Sequence, residues 1–413
     1  MVTQTQRTMT RSGYKQTEIG IIPEDWKSEI IFKNVDVMMG QSPLGETYNQ
    51  SKGIPLLNGP TEFGLVNPFP IQYTTKPTKL SKSGDILLCV RGSTTGRLNI
   101  SDQTYCIGRG LASIRGKSGK TDTKWLFYHF VKLQNYIFRI ASGGGSTFPN
   151  INQDFINRIL LPFPPLPEQQ KIAQVISDAD NLIQQLDDLI TKRKNIKQGT
   201  MQELLTGKRR LEGFRGKWKE TPLEKIGTFA KGRGIKKTDI VDSGLPCIRY
   251  GEIYTKYNVY VKDSLSHISV DVARQSQQIK NGDILFAGSG ETAEEIGKCV
   301  VYLGEENCYA GGDMIIFSPL GNEPLFLAFL LNSDYVNKQK SRMAQGDMIV
   351  HIYSSAIKKI KISIPEFQEQ LAIAKILSDM DKELRQLETK RDKYIMIKNG
   401  MMQKLLTGEI RLK

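Results

Sequence analysis

The 413-residue chain predicts an α+β fold of two similar globular α/β domains, each followed by a long helix. The two helices are expected to pack antiparallel as a coiled-coil spacer, with the halves related by an internal pseudo-two-fold repeat. Three observations lead there. Sliding the chain by about 201 positions lays the stretch Pro167–Gly207, without a gap, over the stretch ending at Gly408. Both copies carry apolar residues at helical spacing. The globular parts also echo each other, most clearly in Gly84-Asp85-Ile86-Leu87 against Gly282-Asp283-Ile284-Leu285.

In the copied stretch Ile172 falls on Ile373, Ala173 on Ala374, Asp180 on Asp381, Lys197 on Lys398, and Leu204-Leu205-Thr206-Gly207 on Leu405-Leu406-Thr407-Gly408. The apolar stripe holds Ile172, Val175, Ile176, Ile183 and Leu186 in one copy, and Ile373, Ile376, Leu377, Leu384 and Leu387 in the other. Pro164, Pro165 and Pro167 keep helix from extending upstream, Glu168 suits a first turn, and Gly207 before Lys208, Arg209 and Arg210 suits a C-terminus. Roughly 39 residues at about 1.5 Å each make a rod of about 58 Å, longer than a globular helix needs to be. One stripe per helix, flanked by charge, is most economically buried against the other stripe, so these ten residues are the candidate spacer and partner-binding positions. The alternative is that each helix packs on its own domain.

The rest of the chain divides accordingly. Residues 1–20 are expected to form a polar lead-in, 21–163 the first domain, 164–208 the first helix, 209–363 the second domain and 364–413 the second helix. The domains start alike, at Ile22-Pro23-Glu24-Asp25-Trp26 and Gly216-Lys217-Trp218-Lys219, and each reaches a Gly-containing turn, Met38–Pro43 and Ala230–Gly234. Leu111–Ile114 and Met314–Phe317 have the composition of buried strands. Amphipathic helices are predicted over Thr123–Ala141 and Pro324–Ala344, followed by the Gly-bearing loops Ser142–Ser146 and Gln345–Asp347.

Lys plus Arg exceed Asp plus Glu by 57 − 43 = 14, with a pI near 9.3, which favours a polyanionic partner. Five scattered cysteines with no Cys-x-x-Cys pair indicate neither a disulfide framework nor a zinc site, and fit a reducing cytoplasm. No apolar run approaches the roughly 18 residues of a membrane span, and the N-terminus lacks a signal-peptide core, so a soluble intracellular protein is expected.

Motifs for catalysis are poor. Phe286-Ala287-Gly288-Ser289-Gly290 matches the F-x-G-x-G turn with which amino-methyltransferases hold S-adenosylmethionine. Its counterpart Leu87–Ser93 keeps the preceding Gly-Asp-Ile-Leu and loses the glycine pattern, so a structural turn explains both copies. Asn67-Pro68-Phe69-Pro70 has the wrong order for the turn that grips a base amine. Gly110–Ser118 has one residue too many for a phosphate-binding loop. His129, His267 and His351 share no metal-ligand spacing, and neither a metal site nor a nucleophile set is indicated.

The succession Ile22–Trp26, Gly84–Leu87, Pro164-Pro165-Leu166-Pro167-Glu168-Gln169, Leu204–Gly207 and Gly213-Phe214, repeated from Trp218 through Gly282–Leu285 and Glu369-Gln370 to Gly408, resembles the specificity subunit of Type I restriction-modification enzymes. A departure is that the second helix entry, Pro365-Glu366-Phe367-Gln368-Glu369-Gln370, lacks the double proline. The resemblance implies a non-catalytic, cytoplasmic and nucleoid-associated reader of double-stranded DNA. It has two target-recognition domains, one per half of a bipartite site. It implies two modification subunits, which hold S-adenosylmethionine and methylate adenine N6, and translocating restriction subunits that use ATP and Mg. Other readings are a stand-alone DNA amino-methyltransferase, or a DNA-binding structural protein without modification partners. For a DNA reader, loops where basic and polar residues meet glycine are the candidate contacts. In the first domain these are Gln41, Ser42, Lys76, Lys79, Arg91, Ser93, Thr94 and Arg97. In the second they are Lys231, Arg233, Lys236, Lys237, Arg249, Tyr250 and Arg274.

Overall fold

A computed structural model describes residues 12–143, 149–346 and 349–413. The chain forms two compact units, one running to Asp187 and including Lys390–Lys413, the other Asp188–Thr389. This division cuts through both long helices, Leu166–Leu204 and Phe367–Leu405, each of 39 residues. Each unit therefore comprises one domain, the first part of the helix that follows it and the last part of the other helix, where the sequence suggested domains and helices as separate pieces.

In the first unit the expected polar lead-in is a hairpin from residue 14 onward, Tyr14–Thr17 paired with Gly20–Pro23. Residues 1–11 of that lead-in lie outside the described residues. A four-stranded sheet has the order Leu98–Ile100, Ile86–Cys89, Leu111–Gly116, Val35–Met39. A five-stranded sheet runs Tyr48–Asn49, Gln72–Thr74, Ile54–Leu57, Tyr105–Ile107, Leu80–Ser81. In the second unit the matching strands appear in the same order. Gly227–Lys231, Met314–Pro319, Ile284–Ala287 and Cys299–Tyr302 form one sheet with Tyr260–Val261 added at its edge. Ile240–Val241, Ser266–Ile268, Leu245–Ile248, Cys308–Ala310 and Gln277–Ile279 form the other. The five-stranded sheet of the first unit and its counterpart share a parallel pairing at the same place, Cys106 with Leu56 and Cys247 with Tyr309, and the added edge strand Tyr260–Val261 is parallel to its neighbour too.

Thr123–Ser142 is one helix, N-capped by the Asp122 carboxylate. The predicted counterpart is two helices, Pro324–Leu331 and Asp334–Arg342. Asn332 causes the break. Its amide donates to Cys299 O and Ala328 O and its carbonyl accepts from Cys299 N, which ties the chain to the neighbouring strand instead of the next helical turn. Of the Gly-bearing loops, Gly144, Gly145, Ser146 and Asp347 lie outside the described residues.

The long helices serve their own domains first. Ile172, Ala173 and Ile176 are buried with Trp26, Trp125 and Phe163 and with Met402, Leu405 and Leu406 of the second helix. Ile373, Ala374 and Leu377 are buried in the second unit with Phe326, Leu330, Leu204 and Leu205. These stripe positions, together with buried Leu186 and Leu384, are therefore not surface for a partner protein. Only Val175, Ile183, Ile376 and Leu387 keep partial exposure. The helices also pair antiparallel inside each unit, through Lys398–Asp180 (2.5 Å) and Arg391–Asp187 (3.3 Å) in the first and Lys197–Asp381 (2.5 Å) and Arg193–Glu383 (3.0 Å) in the second. Asp180–Lys398 and Asp381–Lys197 are the same pair under the repeat.

The echoed motifs turn out to be anchors. Each helix begins under a clasp: Glu168 accepts from the Arg411 guanidinium (2.7 Å) and Trp26 Nε1 (3.1 Å), and Glu369 accepts from Arg210 (2.7 Å). Arg411 lies over the Trp26 ring and Arg210 over the Trp218 ring. Burial pushes the Glu168 carboxyl up, but its bonds to Arg411 and Trp26 outweigh that and hold it below its usual value. Gln169 and Gln370 accept from the backbone N–H that starts the domain helix, Asp122 N and Glu323 N, both at 2.9 Å, and donate to Pro164 O and Pro365 O. The missing double proline leaves this contact unchanged. Asp85 and Asp283 of the Gly-Asp-Ile-Leu motifs accept from Lys82 N and Lys280 N, closing the turn before the strand.

Candidate nucleic-acid interface

In both domains the candidate loops gather where the two sheets meet, at the ends of the strands Val35–Met39 and Gly227–Lys231. Gly40 and Gly232 turn the chain there. A Cβ on Gly40 would lie 2.2 Å from Gly108 O, and one on Gly232 2.0 Å from Gly311 O, so only glycine fits. In the first domain Gln41 and Ser42 follow. Gln41 O accepts from the Thr78 hydroxyl and Ser42 Oγ accepts from Arg109 N (3.3 Å), which brings the exposed Lys76 and Lys79 segment and Arg109 to one edge. Arg109 is absent from the candidates above, although its place between Gly108 and Gly110 is the signal that could have found it.

Arg91, Ser93 and Thr94 are exposed on the turn that joins Ile86–Cys89 to Leu98–Ile100. Thr94 Oγ1 lies 3.4 Å from Cys89 Sγ. Arg97 is drawn elsewhere. Its guanidinium donates to Pro60 O (3.3 Å) and Phe63 O (3.2 Å) and sits over the Phe63 ring, so it holds the 60–63 turn in place.

In the second domain Lys231, Arg233, Lys236 and Lys237 are exposed along the segment that follows Gly227. Arg274 is exposed on the short helix Val270–Gln275, beside Asp271 at 3.4 Å, and a Cβ on Gly234 would meet the neighbouring Ser276. Tyr250 is 41% exposed, whereas Arg249 is half-buried and paired with Glu252 at 3.0 Å. Arg249 thus anchors the start of the helix Tyr250–Thr255. Two non-glycine residues here have left-handed backbone, Ile235 (φ 52) and Asp313 (φ 57), joined through Gly312 N donating to Gly234 O (3.1 Å). Such conformations cost about 1–2 kcal/mol each and cluster at functional sites.

The F-x-G-x-G stretch is part of this edge. Phe286 is a core residue of the strand Ile284–Ala287, and Ser289–Gly290 pairs with Val350–His351. A Cβ on Gly288 would approach Asp313 O to 2.8 Å, and one on Gly290 the Tyr254 hydroxyl to 2.8 Å. The glycines are thus explained by close backbone approach, as a structural role requires, and the segment is a strand end where a turn was expected. The five cysteines are buried and free. No group of three or more His, Cys, Asp or Glu side chains suited to a metal ion occurs among the described residues. No described helix is long and apolar enough to cross a membrane.

Comparison with known proteins agrees with this architecture. The family described as "Type I restriction modification DNA specificity domain" matches residues 23–195 and again residues 215–395. The Type I restriction enzyme MjaVIII specificity subunit of Methanocaldococcus jannaschii is 24% identical over 412 residues, 95% of this chain and 94% of that protein. The putative MjaX specificity subunit of the same organism is 37% identical over 214 residues, about half of each chain (50% and 49%). In fold, the S subunit of a Type I restriction-modification system from M. genitalium matches with a TM-score of 0.61 at 18% identity, over 92% of this chain and 96% of that one. Two family matches, one over each half of the repeat and together spanning most of the chain, place it: it belongs to the specificity subunits of Type I restriction-modification systems.

Proposed function

We propose that this chain is the non-catalytic DNA-reading subunit of its complex, with each domain reading one half of a bipartite site and the paired helices setting the gap between them. The observation that carries the reading is the repeat itself: two domains with one strand order, each ending in exposed basic loops at the same edge. Lys and Arg on that edge neutralise phosphates, and polar side chains among them reach base edges in the major groove. The half-exposed outer faces of the helices, together with the surrounding charged residues, carry two modification subunits. These hold S-adenosylmethionine and methylate adenine N6. Restriction subunits that use ATP and Mg complete the assembly. The protein works in the cytoplasm on the nucleoid.

Mapping N6-methyladenine across the host genome with and without this chain tests the proposal. An interrupted motif with two constant parts, present only when the chain is present, is expected. Methyl transfer by the purified chain alone would instead favour a self-sufficient methyltransferase.

A further inference from the structure

One pair of positions stands out where the two domains are overlaid by their hydrogen bonds. In the first domain Ile151 N donates to Val90 O (3.0 Å), Gly92 N to Pro149 O (2.9 Å) and Val90 N to Gly110 O (2.9 Å), with Arg91 facing Asn150 across the bridge. In the second Ile352 N donates to Gly288 O (2.9 Å) and Gly288 N to Asp313 O (2.7 Å), with Ser289 facing His351. The backbone is repeated; the side chains are not. Arg91 and Asn150 are both exposed, and neither side chain has a polar partner among the described residues. Ser289 and His351 instead bond to each other, Oγ to Nδ1 at 2.9 Å, on the wall of a cavity of about 440 Å³ that also takes in Lys231, Asp313 and Tyr353. Tyr353 is 57% exposed and stacks on His351, with ring centroids 6.5 Å apart.

The repeat preserves chemistry at several groups that hold the fold, as in Glu168 and Glu369 or Gln169 and Gln370. Here the backbone bonds are kept while an Arg–Asn pair gives way to a Ser–His pair, so the shared backbone does not require either pair of side chains. We propose that these two pairs are the principal base-reading positions of the two half-sites, Arg91 with Asn150 in the first domain and Ser289 with His351 in the second. This rests on the DNA-reading function above and assigns residues to it. The chemistry of each pair then sets its preference. A guanidinium only donates and matches the two acceptors on a guanine edge, while Asn donates and accepts as an adenine edge requires. The Ser–His pair offers a single donor–acceptor face beside an aromatic ring and so reads a different edge. The cavity gives the displaced Ser289–His351 bond room to rearrange when a base approaches.

The test maps N6-methyladenine directed by the chain co-expressed with its modification subunits, comparing the native chain with Arg91→Lys, Asn150→Ser, His351→Gln and the exchange R91S/N150H. The variants touch three positions, of which Arg91 and Asn150 are exposed and His351 lines the cavity, and thermal melting checks that each variant stays folded. The expected result is that Arg91 and Asn150 variants lose roughly ten- to a hundredfold of discrimination at one position of one half-site. His351→Gln should do the same in the other half-site only, and the exchange should make the first half-site tolerate what the second prefers at that position. Uniform loss in both half-sites, or an unchanged motif from folded variants, overturns the assignment while leaving the DNA-reading function intact. Absence of any motif with the native chain overturns both.

Discussion

The two halves of the molecule agree where the chain must be held and differ where it faces outward. Each long helix begins with a buried carboxylate clasped by an arginine from just beyond the end of the other long helix, and a glutamine caps the neighbouring domain helix in both. The exposed loops share backbone bonds but carry unlike side chains. That combination is what the proposed reading calls for: a common frame to fix the spacing of two half-sites and replaceable surface to set each one. The agreement is not complete even in the frame. Arg411 has a second carboxylate, Asp25 at 2.7 Å; the residue before the second tryptophan is Lys217, and Arg210 donates instead to Gly216 O (2.8 Å). Trp26 Nε1 donates to Glu168, while the buried Trp218 Nε1 has no partner among the described residues. The core helices differ too, one burying His129 and the other Lys340.

The buried bases give the sharpest way to separate the units. Burial, with Lys132 nearby, pushes the His129 imidazole down to about 3, and burial pushes the Lys340 ammonium, whose Nζ donates to Gly297 O (2.7 Å), down to about 8. For His129 the unfolded chain takes up a proton below about 6.5 and the folded one does not until about 3. The first unit is therefore penalised by up to about 1.4 kcal/mol per pH unit as pH falls through that window. For Lys340 the unfolded side chain stays charged up to about 10.5. The penalty on the second unit is full below pH 8 and fades between pH 8 and 10.5. His129→Gln should gain on the native chain only below pH 6.5. Lys340→Met should gain most at pH 7 and lose the gain by about pH 10.5. Denaturant melts at stepped pH read both, and a difference from the native chain that does not vary with pH would break the contrast.

The clasps give a smaller effect. Arg411→Ala leaves Glu168 buried without its cation and Asp25 unpaired, costing about 2 kcal/mol after allowance for the solvent-facing part of the guanidinium. Arg210→Ala removes one carboxylate contact and should cost less. The Arg411 bonds hold the Asp25 and Glu168 carboxyls below their usual values. Their contribution is present above the ordinary carboxylate range and is lost as pH falls through the lowered folded values, so the cost of Arg411→Ala should shrink toward pH 3. Calorimetric melting of both variants at pH 7 and pH 3 measures this. Equal losses for the two arginines would remove the asymmetry.

The frame was legible in the sequence because it is periodic and repeated. The slide by about 201 positions found both helices, and Gly207 and Gly408, at φ 69 and φ 75, end them as expected. It did not reveal that Ile172 and Ile176 belong to a domain core, since a stripe looks the same whether it faces a helix or a sheet. The break at Asn332 was hidden because a side chain bonded to Cys299, 33 residues away, leaves no local signal. Arg97 and Arg249 look like any loop arginine, and only three-dimensional contact with Phe63 and Glu252 shows that their guanidinium groups are already engaged. Asn150 and His351 fall in register under the same slide, but neither is a basic residue beside glycine, the pattern that marks the other candidates.

The central claim, a common frame with interchangeable readers, is tested most directly by a chain whose second domain, residues 219–364, is replaced by a copy of the first, residues 27–163. Methylation mapping of this chain with its modification subunits should give an interrupted inverted repeat of the first half-site. Retention of the second half-site by a chain that no longer holds the second domain would contradict the account.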